Sequence, residues 1–93
     1  MANNLHISYD LINPGQNYAK LIEKIKTLGS WARVHASFWY VNSSLTASQA
    51  VDALKPVLDS NDKVYIVDAS NNNSAWKTLP SDVSELIKRE WNR

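Results

Sequence analysis

Few side chains in this sequence are of the kinds that do chemistry, and they are scattered. Asp10 closes the stretch Leu5-His6-Ile7-Ser8-Tyr9-Asp10, which alternates apolar and polar residues with the period of a strand. A carboxylate at the end of a strand lies where loops converge and sites are often built. As a hard oxygen ligand it suits Mg²⁺ or Mn²⁺. The same group can equally cap the turn that follows, Asn13-Pro14-Gly15-Gln16. His6 and His35 fall in β-like stretches without the His–carboxylate spacing of metalloproteases, and read as sheet histidines. Ser37 has neither an activating His–Asp arrangement nor a G-x-S-x-G elbow, so classical serine hydrolysis is disfavoured. No Walker loop and no G-x-G-x-x-G occurs, which removes support for nucleotide hydrolysis and dinucleotide binding.

The cations are unevenly spread. From Asn17 to Arg33, Lys20, Lys24, Lys26 and Arg33 stand against Glu23 alone. Lys20 and Lys24 are one helical turn apart and could meet phosphates; a solvated helix face is the plainer reading of the same pair. The tail carries Lys77, Lys88, Arg89 and Arg93 against Asp82, Glu85 and Glu90, whereas Asp52 to Asp68 is net acidic.

The chain that positions these groups has 93 residues, enough for one domain, here 1–93 with a core over about 5–69 and an extension over about 70–93. It is 44% hydrophobic and 20% charged, the composition of a folded soluble protein. Without Cys there is no disulfide, thiolate chemistry or Cys-type zinc site. No apolar run approaches the ~18–20 residues of a membrane span, and the polar start lacks the features of a signal peptide, so a cytoplasmic location is expected. A formal net charge of +1 is unlike that of strongly basic nucleic-acid binders, so any such contact needs a local patch or the doubled charge of a dimer. Four Trp, four Tyr and one Phe are many rings for so small a core, which suggests that some lie at a subunit interface or ligand surface.

The pattern along the chain gives the elements. Asn17 is a plausible cap for a helix with the apolar stripe Tyr18, Leu21, Ile22, Ile25 and Leu28, and Gly29 is placed to end it in the left-handed conformation. Arg33 to Asn42 is β-like, as one bent strand or two short ones, with Ala36, Phe38 and Tyr40 on one face and His35, Ser37, Trp39 and Val41 on the other. Thr46-Ala47-Ser48-Gln49 is a capping box opening a helix with Ala47, Ala50, Val51, Leu54, Val57 and Leu58 on one face, which Pro56 should kink or break. Lys63 to Ala69 is a strand and Asn71 to Ser74 a polar loop. The last helix spans about Ser81 to Glu90, with Val83, Leu86, Ile87 and Trp91 inward. Strand, helix, one or two strands, helix, strand and terminal helix fit an α+β, ferredoxin-like sandwich with helices on one face. In that topology the last core strand runs antiparallel to the first, bringing Asp62 nearer Asp10 than Asp68. A purely parallel sheet would favour Asp68. Both read as turn or strand-end residues.

Two stretches carry a resemblance. Ser8-Tyr9-Asp10 and Arg33-Val34-His35-Ala36-Ser37-Phe38-Trp39 resemble the strand-one and strand-two segments of the second CRISPR-associated protein family. The likeness continues in pattern through Leu45-Thr46 to Asn61-Asp62-Lys63-Val64-Tyr65-Ile66 and covers about residues 5 to 68. The whole chain is similar to stand-alone bacterial relatives of that family, and more distantly to the virulence-associated D toxins, also ferredoxin-like ribonucleases. The resemblance implies a small ferredoxin-like homodimer and, in some members, a metal-dependent nuclease. Asp10 would be the catalytic and metal-binding carboxylate, two copies sharing Mg²⁺ or Mn²⁺ across the dimer. Lys20, Lys24, Arg33 and Ser37 would meet nucleic acid, and Trp39 and His35 would lie at a face-to-face dimer interface. An integrase-like partner is the expectation for members that act as scaffolds. The sequence departs from the family at His35, where a glutamine is usual, at Trp39, where a phenylalanine is usual, and after the last core strand, where a short strand usually joins the partner. Two readings follow: a metal-dependent endonuclease, or a non-catalytic dimer binding nucleic acid or a protein, with a toxin-type ribonuclease as a third.

Overall fold

A computed structural model describes residues 2–11, 18–70 and 73–90. The elements run β1 (Asn3–Asp10), α1 (Tyr18–Lys26), β2 (Gly29–His35), β3 (Phe38–Ser43), α2 (Ala47–Leu54), a 3-10 turn (Lys55–Val57), β4 (Lys63–Asp68), β5 (Asn73–Lys77) and α3 (Ser81–Glu90). The five strands form one sheet in the order β2-β3-β1-β4-β5, every neighbouring pair antiparallel. The molecule is thus α+β, with two β-α-β crossovers and an added edge strand. None of the described helices is long and apolar enough to cross a membrane. The turn expected over Asn13–Gln16, the Asn17 cap, Asn71, Asn72 and Trp91 lie outside the described residues.

One face of the sheet holds the core. Leu5, Ile7 and Tyr9 of β1, Trp39 and Val41 of β3, and Val64 and Ile66 of β4 are buried. Against them pack Leu21 and Ile25 of α1 and Ala47, Ala50, Val51 and Leu54 of α2. The period-2 and helical stripes of the sequence therefore meet as expected. The capping box forms: the Thr46 hydroxyl accepts from the Gln49 amide at 3.1 Å, and the Gln49 side-chain oxygen accepts from the Thr46 amide at 2.9 Å. Pro56 breaks the α-helix as expected, since α2 stops at Leu54 and Pro56 sits in the first turn of the 3-10 segment Lys55–Val57.

Three expectations need correction. Gly29 is not a left-handed cap but the first residue of β2. The preceding helix instead closes on short turns, Thr27 N–H to the Lys24 carbonyl at 3.0 Å and Leu28 N–H to that of Ile25 at 3.0 Å. A Cβ at position 29 would run into the Asn42 carbonyl of the neighbouring strand, so close strand approach is what requires glycine there. Asn73 and Ser74 of the expected Asn71–Ser74 loop belong instead to a strand, Asn73–Lys77, because pairing with β4 supplies what their polar sequence does not. In α3, Val83 is 39% and Leu86 49% exposed, and no described residue of the helix is buried. Its apolar stripe is not part of the core.

The second sheet face has a different character. The register places Tyr40, His6 and Val67 in one row across the strands, and His35, Phe38, Ser8, Tyr65 and Trp76 in the next. Apart from His35, which is exposed, these side chains are half-buried. Leu86, Ile87 and Glu90 of α3 share with Tyr65 a cavity of ≈ 370 Å³, so the helix stands beside this face without sealing it.

Candidate functional site

Asp10 ends β1 on the second face, exposed and directly across from Lys63. As antiparallel pairing requires, Asp62 adjoins this end of the sheet, whereas Asp68 lies across from Leu5 at the other. Neither is spare. The Asp62 carboxylate, 2% exposed, accepts from the Asp59 amide at 2.8 Å, and the Asp68 carboxylate accepts from the Ser70 amide at 2.9 Å. Both build turns, as expected for Asx residues at strand ends. A small hollow of ≈ 130 Å³ beside Asp10 is lined by Ser8, Lys63, Tyr65 and Leu79 among others. Among the described residues no three His, Cys, Asp or Glu side chains gather to hold an ion.

Tyr9, Arg33, Ala36, Ser37 and Trp39 form a clamp on the β2–β3 turn. Tyr9 is its centre. Its amide donates to the Ser37 carbonyl at 3.1 Å and its hydroxyl to the Ala36 carbonyl at 3.0 Å. That hydroxyl also accepts from the Trp39 indole N–H at 3.2 Å. The Arg33 guanidinium donates to the same Ala36 carbonyl at 2.9 Å. Tyr9, Arg33, Ser37 and Trp39 are thus tied together, and what they hold in place is the turn.

The expected interface is corrected in the same place. Trp39 does lie opposite Phe38 and Tyr40, but on the helix-covered face, where it is 1% exposed. His35 is not beside it. The register shift between Arg33 and His35 and the turn that follows break the alternation, and His35 stacks on Phe38 with centroids 5.3 Å apart. His6 sits edge-on to Phe38 at 5.8 Å and to Tyr40 at 6.1 Å. The second face presents half-exposed rings of its own: Phe38, Tyr40, Tyr65 and Trp76, the last two stacked at 5.8 Å.

The predicted cations separate into two places. Lys20 and Lys24 line a groove of ≈ 490 Å³ with Glu23, Thr27 and Val57. Arg33 is on β2, its guanidinium carbon 5.2 Å from the Trp39 ring centroid.

Two features escape sequence reasoning. Lys77 reaches the loop before β4, donating to the carbonyls of Asp59, Ser60 and Asp62 at 2.9, 2.8 and 3.0 Å. A lone lysine between Trp76 and Thr78 gives no signal of that role. The other is Trp31, 46% exposed on β2, with the Lys26 ammonium over its ring at 4.9 Å. The five-residue spacing of the two could have been noticed once β2 was seen to start at Gly29. The chain matches no family model, no curated protein and no solved structure.

Proposed function

We propose that this protein is a ferredoxin-like homodimer that binds nucleic acid without cutting it, its two chains meeting through the second sheet face. The observation that carries the reading is the division of the sheet. Two helices cover one face, while the other presents Phe38, Tyr40, Tyr65 and Trp76 half-exposed, with the apolar residues of α3 beside them. Half-exposed rings grouped on an uncovered sheet face are what an interface looks like before its partner arrives. The order β2-β3-β1-β4 with two crossovers supports the ferredoxin-like arrangement. A net charge of +1 leaves self-association almost unopposed. The cation-rich stretch from Lys20 to Arg33 lies on α1 and β2, clear of that face, and would remain open to phosphates on each side of a dimer.

The test joins two measurements. Light scattering of the purified protein is expected to give twice the chain mass, and Phe38→Asp to give the mass of one chain without loss of the circular dichroism spectrum. Incubation with single- and double-stranded DNA and RNA in Mg²⁺, Mn²⁺ or EDTA is expected to give salt-sensitive binding and intact strands. Metal-dependent cleavage that disappears in Asp10→Ala would overturn the non-catalytic reading in favour of a nuclease. A wild-type chain that stays monomeric at all concentrations would remove the dimer.

A further inference from the structure

We infer that the Trp31 indole, with the Lys26 ammonium and the Arg33 guanidinium, forms a stacking site for an unpaired base of single-stranded nucleic acid. The inference rests on the nucleic-acid reading above and names the part of the chain that would carry it. Trp31 projects from β2, the edge strand of the sheet, in which every residue is exposed. Its ring is backed by the buried Trp39, centroids 5.4 Å apart and tilted by 57°. The ring is therefore presented to solvent and held from within, which lowers the entropy lost when a flat ligand lands on it.

The charges around it fit a phosphate backbone. Lys26 Nζ stands 4.9 Å from the Trp31 centroid and Arg33 Cζ 5.2 Å from that of Trp39. Arg33 is fixed by its bond to the Ala36 carbonyl. Lys26 is held more loosely, 3.8 Å from the Glu23 carboxylate. An ammonium on a flexible stem can move from the ring to an adjacent phosphate and free the ring face for a base. Paired bases are already stacked and hide their faces, so a ring at the sheet rim selects unpaired ones. Stacking tolerates any base, since each has a π-face, and the two cations add salt dependence.

Fluorescence anisotropy with labelled oligo-dT, oligo-rU and a duplex of equal length tests this. The wild type is expected to bind the single strands more tightly than the duplex. Trp31→Ala should weaken single-strand binding by at least about five-fold, and Trp31→Phe by less, because a ring is kept. Lys26→Gln should flatten the salt dependence by about 0.7 in the log–log slope, the share of one phosphate contact on a single strand. Circular dichroism and unfolding midpoints check that the variants fold, and Trp31→Phe keeps the ring packing should the alanine variant not fold. The DNA and RNA arms show which sugar is preferred, and Trp31→Ala must weaken both. If the wild type binds and Trp31→Ala binds equally well while Lys20→Gln/Lys24→Gln fails, the nucleic-acid reading stands and the Trp31 site falls. Tighter binding of the duplex also overturns the site. No binding by the wild type overturns both.

Discussion

Tyr9 shows how one hydroxyl can decide the worth of a whole turn. It is donor to Ala36 and acceptor from Trp39, and Trp39 is almost wholly out of water. Removing the hydroxyl leaves a buried indole N–H without its partner, and the penalty for an unmade buried bond exceeds the net gain of a made one. Tyr9→Phe is therefore expected to lower unfolding free energy by about 1–3 kcal/mol. Arg33→Gln removes the other bond to Ala36, but at an exposed position where water replaces it, so its cost should stay below about 1 kcal/mol. Urea unfolding of both variants checks the ranking. A larger loss for Arg33→Gln would mean that the turn is held from its solvent side and not from the core.

At the scale of elements, Gly29 separates two ways of reading one residue. As a left-handed helix cap it would accept asparagine, which tolerates that conformation. As the start of β2, packed under the Asn42 carbonyl, it accepts no Cβ at all. Gly29→Asn and Gly29→Ala are both expected to cost about 1–3 kcal/mol, the usual range for overpacking. An unfolding midpoint preserved in Gly29→Asn would restore the cap. The misreading has a physical cause. A glycine directly after an apolar stripe is common to caps and to crowded strand starts, and only the neighbouring strand tells them apart. Where two signals agreed, as the alternation of Leu5, Ile7 and Tyr9 met the stripes of α1 and α2, the covered face was legible. So were the capping box of α2 and the break at Pro56. β5 was not, because Asn73, Ser74 and Ala75 have little strand preference and pair only because β4 presents an edge. The site was legible in part. Asp10 ends the strand that the alternation predicted, and antiparallel pairing of β1 with β4 sets it next to the Asp62 end, as the antiparallel topology and not the parallel one required. Trp39 was assigned the right side relative to Phe38 but the wrong environment, since periodicity separates the two faces of a strand without saying which one the helices will cover.

For the whole molecule, the question is where α3 finds its stability. Helices of its length are marginal in water without packing, and this one buries none of its described residues within a single chain. It stands near Tyr65, beside the same face that carries Phe38 and Tyr40. If two such faces meet, α3 gains its cover from the second chain, and its order becomes a function of protein concentration through mass action. α2 has no such dependence, because its apolar residues are already enclosed against β4 and β5. Hydrogen exchange followed over a dilution series is expected to show α3 amides slowing as concentration rises and α2 amides unchanged. Phe38→Asp, by placing a charge at the centre of the ring cluster, should leave α3 fast at every concentration. Slow exchange in α3 independent of concentration would mean that the helix folds down on its own chain, and the second face would then be closed to a partner. A standard interface of about 800 Å² per partner is more than one short helix can offer. In the proposed dimer the aromatic rows of the sheet and the apolar stripe of α3 would therefore be buried together, and the rings that a single small core could not hold and the helix that no core encloses would share one explanation.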